Sequence, residues 1–318
     1  MGNLFGNSNI NNINNIKQIN IINEKVKVTS LIKLEKELSF ACGLANGIIK
    51  IYSRKLFFEF QLELKVHKRV IFNISETKKG ELISCSSDRT IKISSYNLKE
   101  KKYDIIKIFI GHNDNINKVI EIEDYNKNKL YASCSDDRTI RIWNRETNEK
   151  NCQSISIFLN EDIILDLIEL TNFIILFTLS DSSGLFILNY KIGILEKKRN
   201  DISCDGIYGI CKIKNSNLIA ISSLGNIYII EDKNFQIKKY LNSYLDFYFW
   251  CVNLLNDGSL ITSGTGNEIF QWDIEEEKLI GKKNIHNNFI PCVIEIENNI
   301  LISCSYDCTI KFWKFINI

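Results

Sequence analysis

Three histidines occur in the 318-residue chain, and each is followed by a serine and an aspartate. The three sets are His67, Ser84 and Asp88; His112, Ser133 and Asp137; and His286, Ser303 and Asp307. These residue types could form a hydrolytic triad, in which the imidazole takes the serine proton and the carboxylate orients the imidazole. Hydrolysis by acyl transfer is therefore the catalytic function that these residue types could perform.

The spacing within the sets favours a structural role. In each set the aspartate follows the serine by four residues, and a further position follows the aspartate by six. That position holds Trp143 in the second set, Trp313 in the third and Ser94 in the first. One active site does not require the same offset three times, whereas a repeated structural unit does. We therefore predict no catalytic residues.

The segments around these sets have the character of strands. They are short and β-rich, as in LISCSSDRTIKI, LYASCSDDRTIRIW and LISCSYDCTIKFW. Clusters of Asn, Asp, Gly, Ser and Lys separate them, which is typical of strands joined by turns. No long segment keeps a 3.6-residue apolar period, so few helices are expected. The pattern predicts an all-β fold.

The β-rich runs recur along almost the whole chain. If the last residue of each Ile-x-Ile-Trp-like run is taken as a marker, successive markers lie 41 to 49 residues apart. The markers are Tyr52, Ser94, Trp143, Leu188, Ile230, Trp272 and Trp313. Such self-similarity indicates a repeat architecture with seven units.

The units that contain GHNDNINKVIEIED, LYASCSDDRTIRIW and LISCSYDCTIKFW resemble the WD40 repeat family. This resemblance covers the chain from about Val26 to Phe315, and it implies a seven-bladed β-propeller with four strands in each blade. It also implies that each set is a structural tetrad. The aspartate would accept a hydrogen bond from histidine, histidine would contact the serine hydroxyl, and serine would accept from the tryptophan indole.

Four units depart from the family pattern. At the aspartate position they have Asn46, Ser182, Leu224 and Gly266, and at the serine position Cys42, Thr178, Ala220 and Thr262. None of them has a histidine, although Tyr244 falls near that position in the sixth unit. The register of blades four and five therefore stays open.

The N-terminal region divides into two parts. Residues 1–15 form an Asn-rich, low-complexity stretch that we expect to be a disordered tail, and residues 16–318 form the propeller. WD40 propellers commonly complete their last blade with a strand from the N-terminus, which removes open sheet edges. The segment IKQINIIN, Ile16–Asn23, is the predicted closing strand.

The composition restricts the partners and cofactors. The 40 Lys and Arg residues nearly balance 38 Asp and Glu residues, which does not favour nucleic acid or an acidic membrane as partner. The ten cysteines lack C-x-x-C spacing and histidines are few, so neither a metal nor a cofactor is predicted. No secretory signal is apparent, so we expect a cytoplasmic protein, with the nucleus left open. Gly2 loosely fits an N-myristoylation acceptor, but Gly6 stands where the motif has Ser or Thr.

The resemblance implies binding of protein or peptide partners by a monomeric propeller within a larger complex. Exposed arginine, tyrosine and tryptophan residues are favoured at binding hot spots. Turn residues beside the tetrad aspartates and the aromatic run YLDFYFW supply such side chains on the expected top face. The predicted binding residues are Arg89, Arg138, Asp136, Tyr306, Tyr244, Tyr248 and Trp250.

Two alternative functions are weaker. A substrate receptor of a ubiquitin ligase often carries a W-D-x-R motif, but Trp143 is followed by Asn144, Arg145 and Glu146. A sialidase-like propeller enzyme would show S-x-D-x-G-x-T-W boxes, which are not apparent here. A non-catalytic interaction scaffold remains the favoured function.

Overall fold

A computed structural model of the chain describes residues 11–35, 39–53, 58–122, 130–146, 151–152, 154–171, 173–180, 185–199, 206–214, 216–243, 246–297 and 299–316. This part of the chain is all-β. It has one short 3-10 helix, η1 (Ile13–Asn15), and no α-helix. The strands group into seven sheets, which are the blades of a seven-bladed β-propeller, as predicted.

The chain divides into two compact units, and unit A comprises Thr29–Asp181 and Leu185–Lys197. Unit A holds the first four blades except for one or two residues at the ends of the first and last strands, and four successive strands make up each of these blades apart from one short extra strand described below. Its strands are β2 (Val28–Leu34), β3 (Ser39–Leu44), β4 (Ile48–Ser53) and β5 (Glu59–Lys65) in blade 1; β6 (Ile71–Glu76), β7 (Leu82–Ser86), β8 (Thr90–Asn97) and β9 (Lys102–Ile110) in blade 2; β10 (Ile116–Ile122), β11 (Leu130–Ser135), β12 (Thr139–Asn144) and β14 (Ser154–Leu159) in blade 3; and β15 (Ile164–Thr171), β16 (Ile174–Leu179), β17 (Leu185–Asn189) and β18 (Ile194–Arg199) in blade 4.

Unit B comprises Met1–Val28, Ser182–Gly184 and Lys198–Ile318 and holds the other three blades. Its strands are β19 (Ile207–Lys212), β20 (Leu218–Ser223), β21 (Asn226–Glu231) and β22 (Ile237–Asn242) in blade 5; β23 (Phe249–Leu254), β24 (Leu260–Gly264), β25 (Glu268–Asp273) and β26 (Lys278–Asn284) in blade 6; and β27 (Cys292–Glu297), β28 (Ile300–Cys304), β29 (Thr309–Phe315) and β1 (Ile16–Asn23) in blade 7.

The middle strands of the blades are the most buried, because both of their faces pack against other sheets. Every residue of β11 and of β24 is buried, whereas β5, the last strand of blade 1, is mostly exposed. Apolar clusters lie between successive blades, as between blades 3 and 4 in unit A and between blades 5 and 6 in unit B. Because these cores lie between sheets, neighbouring blades within each unit depend on one another for stability.

The closing strand lies where it was predicted. Strand β1 spans Ile16–Asn23 and pairs antiparallel with β29, from Ile16 opposite Phe315 to Asn23 opposite Thr309. One irregularity in this register falls between Gln18 and Asn20. The N-terminal segment therefore supplies the fourth strand of blade 7.

The chain is ordered before the predicted boundary at residue 16. Helix η1 follows Asn12, whose side chain accepts a hydrogen bond from the Asn14 backbone N–H at 2.9 Å. Ile13 is fully buried in the apolar cluster shared by blades 6 and 7. Residues 11–15 are therefore not part of the expected tail, because Ile13 has a core site. Residues 1–10 lie outside the described part of the chain.

A buried amide fixes this N-terminal segment. The Gln271 Oε1 atom accepts from the Ile13 backbone N–H at 2.7 Å. Its Nε2 atom donates to the Asn11 carbonyl at 2.6 Å and to Ser259 Oγ at 2.9 Å. Lys283 Nζ donates to the Ile16 carbonyl at 2.6 Å. We call Asn11–Asn15 the N-terminal strap; it lies against blade 6 before the chain enters blade 7.

Blade 2 has a fifth strand that the repeat pattern does not predict. Strand β13 (Asn151–Cys152) pairs in parallel with β9, at Ile108 and Phe109. Cys152 is buried in the apolar cluster of blades 2 and 3. An added strand covers backbone groups that an outer strand would otherwise expose.

The structure settles the register of blades 4 and 5. Leu188 pairs with Ile175 in blade 4, and Ile230 pairs with Ile219 in blade 5. In blade 3 the marker Trp143 pairs with Tyr131, and the tetrad serine lies two residues after Tyr131. Counting two residues after Ile175 and Ile219 places Phe177 and Ile221 at the serine position of blades 4 and 5. The assignment of Thr178 and Ala220 to the serine position was wrong by one residue, because hairpin length differs in these blades.

Candidate functional site

Blade 3 brings the second predicted set together. His112 Nδ1 lies 2.8 Å from Asp137 Oδ2, and His112 Nε2 lies 2.7 Å from Ser133 Oγ. The Trp143 indole N–H donates to the same Ser133 Oγ at 2.8 Å. The loop before β10 carries the histidine, the turn between β11 and β12 carries the aspartate, and those two strands carry the other residues.

Blade 7 repeats this geometry closely. His286 Nδ1 lies 2.9 Å from Asp307 Oδ2, and His286 Nε2 lies 2.8 Å from Ser303 Oγ. The Trp313 indole N–H donates to Ser303 Oγ at 3.0 Å. The two sets therefore form the same four-residue network in two separate blades.

Blade 2 has a shorter network. His67 Nδ1 lies 3.0 Å from Asp88 Oδ2, and His67 Nε2 lies 2.9 Å from Ser84 Oγ. Ser94 stands at the tryptophan position, and its buried hydroxyl has no hydrogen-bond partner among the described residues. The chain of hydrogen bonds in this blade therefore ends at Ser84.

Protonation follows from the environment. Burial lowers the pKa of His286 to about 4, so the imidazole is neutral. Burial also opposes the charged form of Asp307, but hydrogen bonds from Thr309, a backbone N–H and His286 outweigh it and hold its pKa at about 2. In the tautomer that satisfies every bond, Nδ1–H donates to the carboxylate and the Ser303 hydroxyl donates to Nε2.

A threonine completes each network, and sequence reasoning missed it. Thr90, Thr139 and Thr309 donate to the Oδ1 atoms of their aspartates at 2.6, 2.5 and 2.6 Å. The signal was present in the sequence, because each aspartate is followed two residues later by threonine. The hydroxyl fixes the carboxylate in the tight turn and adds a charge-assisted hydrogen bond.

The same geometry limits what the sets could do chemically. A catalytic serine must reach a substrate carbonyl while its base accepts the proton. Ser133 and Ser303 are fully buried, and each oxygen already accepts from a tryptophan N–H. The side chains of His112 and His286 are also buried. These serines lie in the blade interior, and their arrangement holds loop to turn.

Blade 6 keeps only part of the network and fills the rest with aromatic rings. The Trp272 indole donates to Thr262 Oγ1 at 3.0 Å. Phe247 packs on Phe249 and Phe270, with ring centroids 5.2 and 5.0 Å apart. Apolar packing therefore replaces the histidine and aspartate of the other tetrad blades.

The predicted binding residues in unit A occupy turns. Arg89 and Arg138 are exposed and have left-handed backbone conformations, with φ of 67° and 64°. Asp136 is less available to a binding partner, because its carboxylate already accepts hydrogen bonds from Asn115 Nδ2 at 2.9 Å and from Asn117 Nδ2 at 2.7 Å.

In unit B the structure places Tyr248, Trp250 and Tyr306 in one aromatic cluster, and Tyr208 and Phe289 join it. Tyr208 lies 5.2 Å from Tyr248 and 5.0 Å from Trp250, between ring centroids. Phe289 lies 5.7 Å from Trp250 and 4.8 Å from Tyr306. We call these five rings the aromatic belt. It runs from blade 5 through blade 6 to blade 7.

The belt is partly open to solvent. Tyr248 and Trp250 are 37% and 41% exposed, and the other three rings are half-buried. Lys27 is exposed, and its Nζ lies 4.7 Å from the centroid of the Tyr306 ring. Tyr244, which was also predicted to bind partners, lies outside the described residues.

Glycines allow the backbone below the belt to pack closely. A Cβ atom on Gly264 would lie 1.7 Å from the Tyr248 carbonyl oxygen, and one on Gly266 would lie 2.3 Å from the Phe247 ring. Gly266 stands at the aspartate position of the repeat. Loss of the tetrad in blade 6 thus coincides with two exposed aromatic side chains, Tyr248 just before β23 and Trp250 within it.

The described residues contain no group of three His, Cys, Asp or Glu side chains that could hold a metal ion. Within the same residues, no helix is long and apolar enough to cross a membrane.

Comparison with known proteins is consistent with the two complete tetrads. The family model described as "WD domain, G-beta repeat" matches residues 103–144 and 278–314. These segments include the networks of His112 and His286. A search of curated proteins finds no match to the chain.

Proposed function

Since the chain belongs to the WD40 repeat family and folds as a seven-bladed β-propeller, we propose that it is a non-catalytic interaction scaffold. It binds protein or peptide partners through the aromatic belt of blades 5 to 7, as a monomer within a larger complex. The observation that carries this proposal is the belt itself, which holds five rings and exposes Tyr248 and Trp250.

The physical chemistry of the belt favours binding. Tyrosine and tryptophan offer large contact areas with few rotatable bonds, so little side-chain entropy is lost when a partner covers them. These residue types are also enriched among the residues that dominate interface energies. The rings already support one another at 4.8 to 5.7 Å, which pre-organises the surface.

Two observations weigh against the alternative functions. The tetrad serines and histidines are buried and engaged in hydrogen bonds, which supports a structural role over a catalytic one. Arg145, the arginine that follows Trp143, makes a two-point ion pair with the Glu81 carboxylate of blade 2. An arginine held in this way is poorly placed to recognise a ubiquitin-ligase adaptor.

Selection from a random peptide display library tests the proposal. We expect the wild-type protein to enrich peptides that a Trp250→Ala, Tyr306→Ala double variant binds about tenfold or more weakly. Tyr240→Ala is the matched control, because this tyrosine is 44% exposed in blade 5 but contacts Tyr228 rather than the belt. Enriched peptides that bind the belt variant as well as the wild type would refute the proposed site.

A further inference from the structure

The rings of the belt are tilted against one another. The planes of Tyr208 and Tyr248 make an angle of 76°, and those of Trp250 and Phe289 an angle of 84°. Tyr306 is inclined at 60° to Phe289. Edge-to-face neighbours leave shallow clefts between ring faces rather than one flat apolar plate. Such clefts suit small, rigid apolar groups.

The spacing of the rings matches an extended ligand. Successive centroids are 4.8 to 5.7 Å apart over four steps. A polyproline II helix rises about 3.1 Å per residue, so two residues advance about 6 Å, close to one step of the belt. About seven residues in this conformation would cover all five rings.

The tips of the rings carry hydrogen-bond donors. Among the described residues, the Trp250 indole N–H and the hydroxyl groups of Tyr248 and Tyr306 have no hydrogen-bond partner. A polyproline II segment has unpaired carbonyl groups and, at each proline, no N–H. It therefore needs donors from its receptor and few acceptors, which is what these side chains offer.

A strand or helix partner fits less well. Strand addition needs a continuous row of free backbone groups from one sheet edge. The belt is instead built from side chains of three blades, with Tyr208 in β19, Trp250 in β23 and Phe289 before β27. A helix satisfies its own carbonyls and would leave the three donors unused.

One end of the belt is positively charged. Lys27 Nζ lies over the Tyr306 ring, and Lys27 has no ion-pair partner among the described residues. Asp246 is exposed two residues before Tyr248, near the opposite end. A ligand that carries an acidic side chain beside Lys27 would gain a charge pair at the rim and a preferred direction.

We infer that the aromatic belt binds a proline-rich segment of about seven residues in the polyproline II conformation, with an acidic residue beside Lys27. This inference rests on the proposed function and names the chemistry of its partner. Pre-formed polyproline II geometry reduces the conformational entropy that the ligand loses on binding, so a short segment can bind with measurable affinity.

Fluorescence anisotropy with three labelled peptides tests the inference. The probe EPPLPPL has the acidic end and the prolines, EAALAAL lacks the prolines, and KPPLPPL reverses the terminal charge. We expect wild-type protein to bind EPPLPPL about tenfold or more tightly than EAALAAL. We expect Lys27→Glu to reverse the preference between EPPLPPL and KPPLPPL.

Variants of the belt locate the binding. Trp250→Phe keeps a ring and removes the indole N–H, so it should weaken binding of EPPLPPL; Trp250→Ala should weaken it further. Tyr240→Ala should leave it unchanged, and circular dichroism melting confirms that each variant is folded. Binding of EPPLPPL that does not respond to Trp250 substitution would overturn the inference.

The outcomes separate this inference from the proposed function. If display-selected peptides without proline bind in a Trp250-dependent manner while EPPLPPL does not bind, the inference fails and the proposed function stands. If neither the selected peptides nor EPPLPPL depends on the belt, both fail.

Discussion

Substitution of Ser303 by alanine measures the structural role of the tetrad in blade 7. Ser303 Oγ is fully buried and joins two groups, the Trp313 indole N–H at 3.0 Å and His286 Nε2 at 2.8 Å. Alanine is nearly isosteric, so the change removes hydrogen bonds without a sizeable cavity. Both the indole donor and the imidazole acceptor would remain buried without partners.

The expected cost follows from the number of groups left unsatisfied. Each buried group that loses its partner costs about 1–3 kcal/mol. Ser303→Ala strands two such groups and should therefore lower the free energy of unfolding by about 2–6 kcal/mol. Ser84→Ala should cost about 1–3 kcal/mol, because Ser84 bonds His67 but Ser94 stands at the tryptophan position.

Urea unfolding followed by far-ultraviolet circular dichroism is the assay, with the slope of the transition compared across variants. Thr262→Val is the control in blade 6, where the side chain accepts only the Trp272 indole N–H. It should cost about as much as Ser84→Ala. Equal destabilisation by Ser303→Ala and Ser84→Ala would refute the reasoning, because the cost would not follow the number of stranded partners.

Three further predictions concern pH, the strap and the belt. Burial lowers the pKa of His286 to about 4, below its ordinary value of 6.5, so the unfolded chain takes up the proton first as pH falls. The stability that the neutral imidazole contributes is fully present above about pH 6.5, and about 3 kcal/mol of it is lost as pH falls towards 4. In urea unfolding, His286→Gln should lose less stability over this pH range than the wild type. Ile13→Ala should lower the free energy of unfolding by about 2–5 kcal/mol in the same assay, because it empties a fully buried site, and no change would show that the strap is not part of the core. Gly264→Ala should destabilise by about 1–3 kcal/mol and weaken peptide binding measured by anisotropy, because its Cβ would clash with the Tyr248 carbonyl; an unaffected variant would contradict the packing below the belt.

The repeat spacing predicted seven units, and the resemblance to the WD40 family implied the blades, the tetrads and the closing strand. Period, strand pattern and the His, Ser, Asp and Trp positions all encode local structure, and β1 spans the predicted residues. The threonine two residues after each aspartate could also have been found, because its offset is fixed. The tetrads and their threonines lie within single repeats, where sequence distance and spatial distance correspond. The closing strand does not, because it pairs Ile16 with Phe315, and only the resemblance implied it.

The features that were missed depend on contacts between distant parts of the chain. Ile13 in an Asn-rich segment looks unable to form a core, and only the buried Gln271 amide and the blade 6–7 cluster give it a site. Tyr208 and Phe289 belong to different repeats from Trp250, so their meeting is not readable from spacing. Hairpin length, rather than hydrophobic alternation, set the register of blades 4 and 5.

Fluorine NMR of protein labelled with 5-fluorotryptophan tests the central claim most directly. The chain has four tryptophans, and Trp250 is 41% exposed while Trp143, Trp272 and Trp313 are buried. Binding of a display-selected peptide at the aromatic belt should shift the Trp250 resonance, assigned by its loss in Trp250→Phe, and leave the other three nearly unchanged. Saturating peptide that leaves the Trp250 resonance in place would contradict the proposal that this surface binds partners.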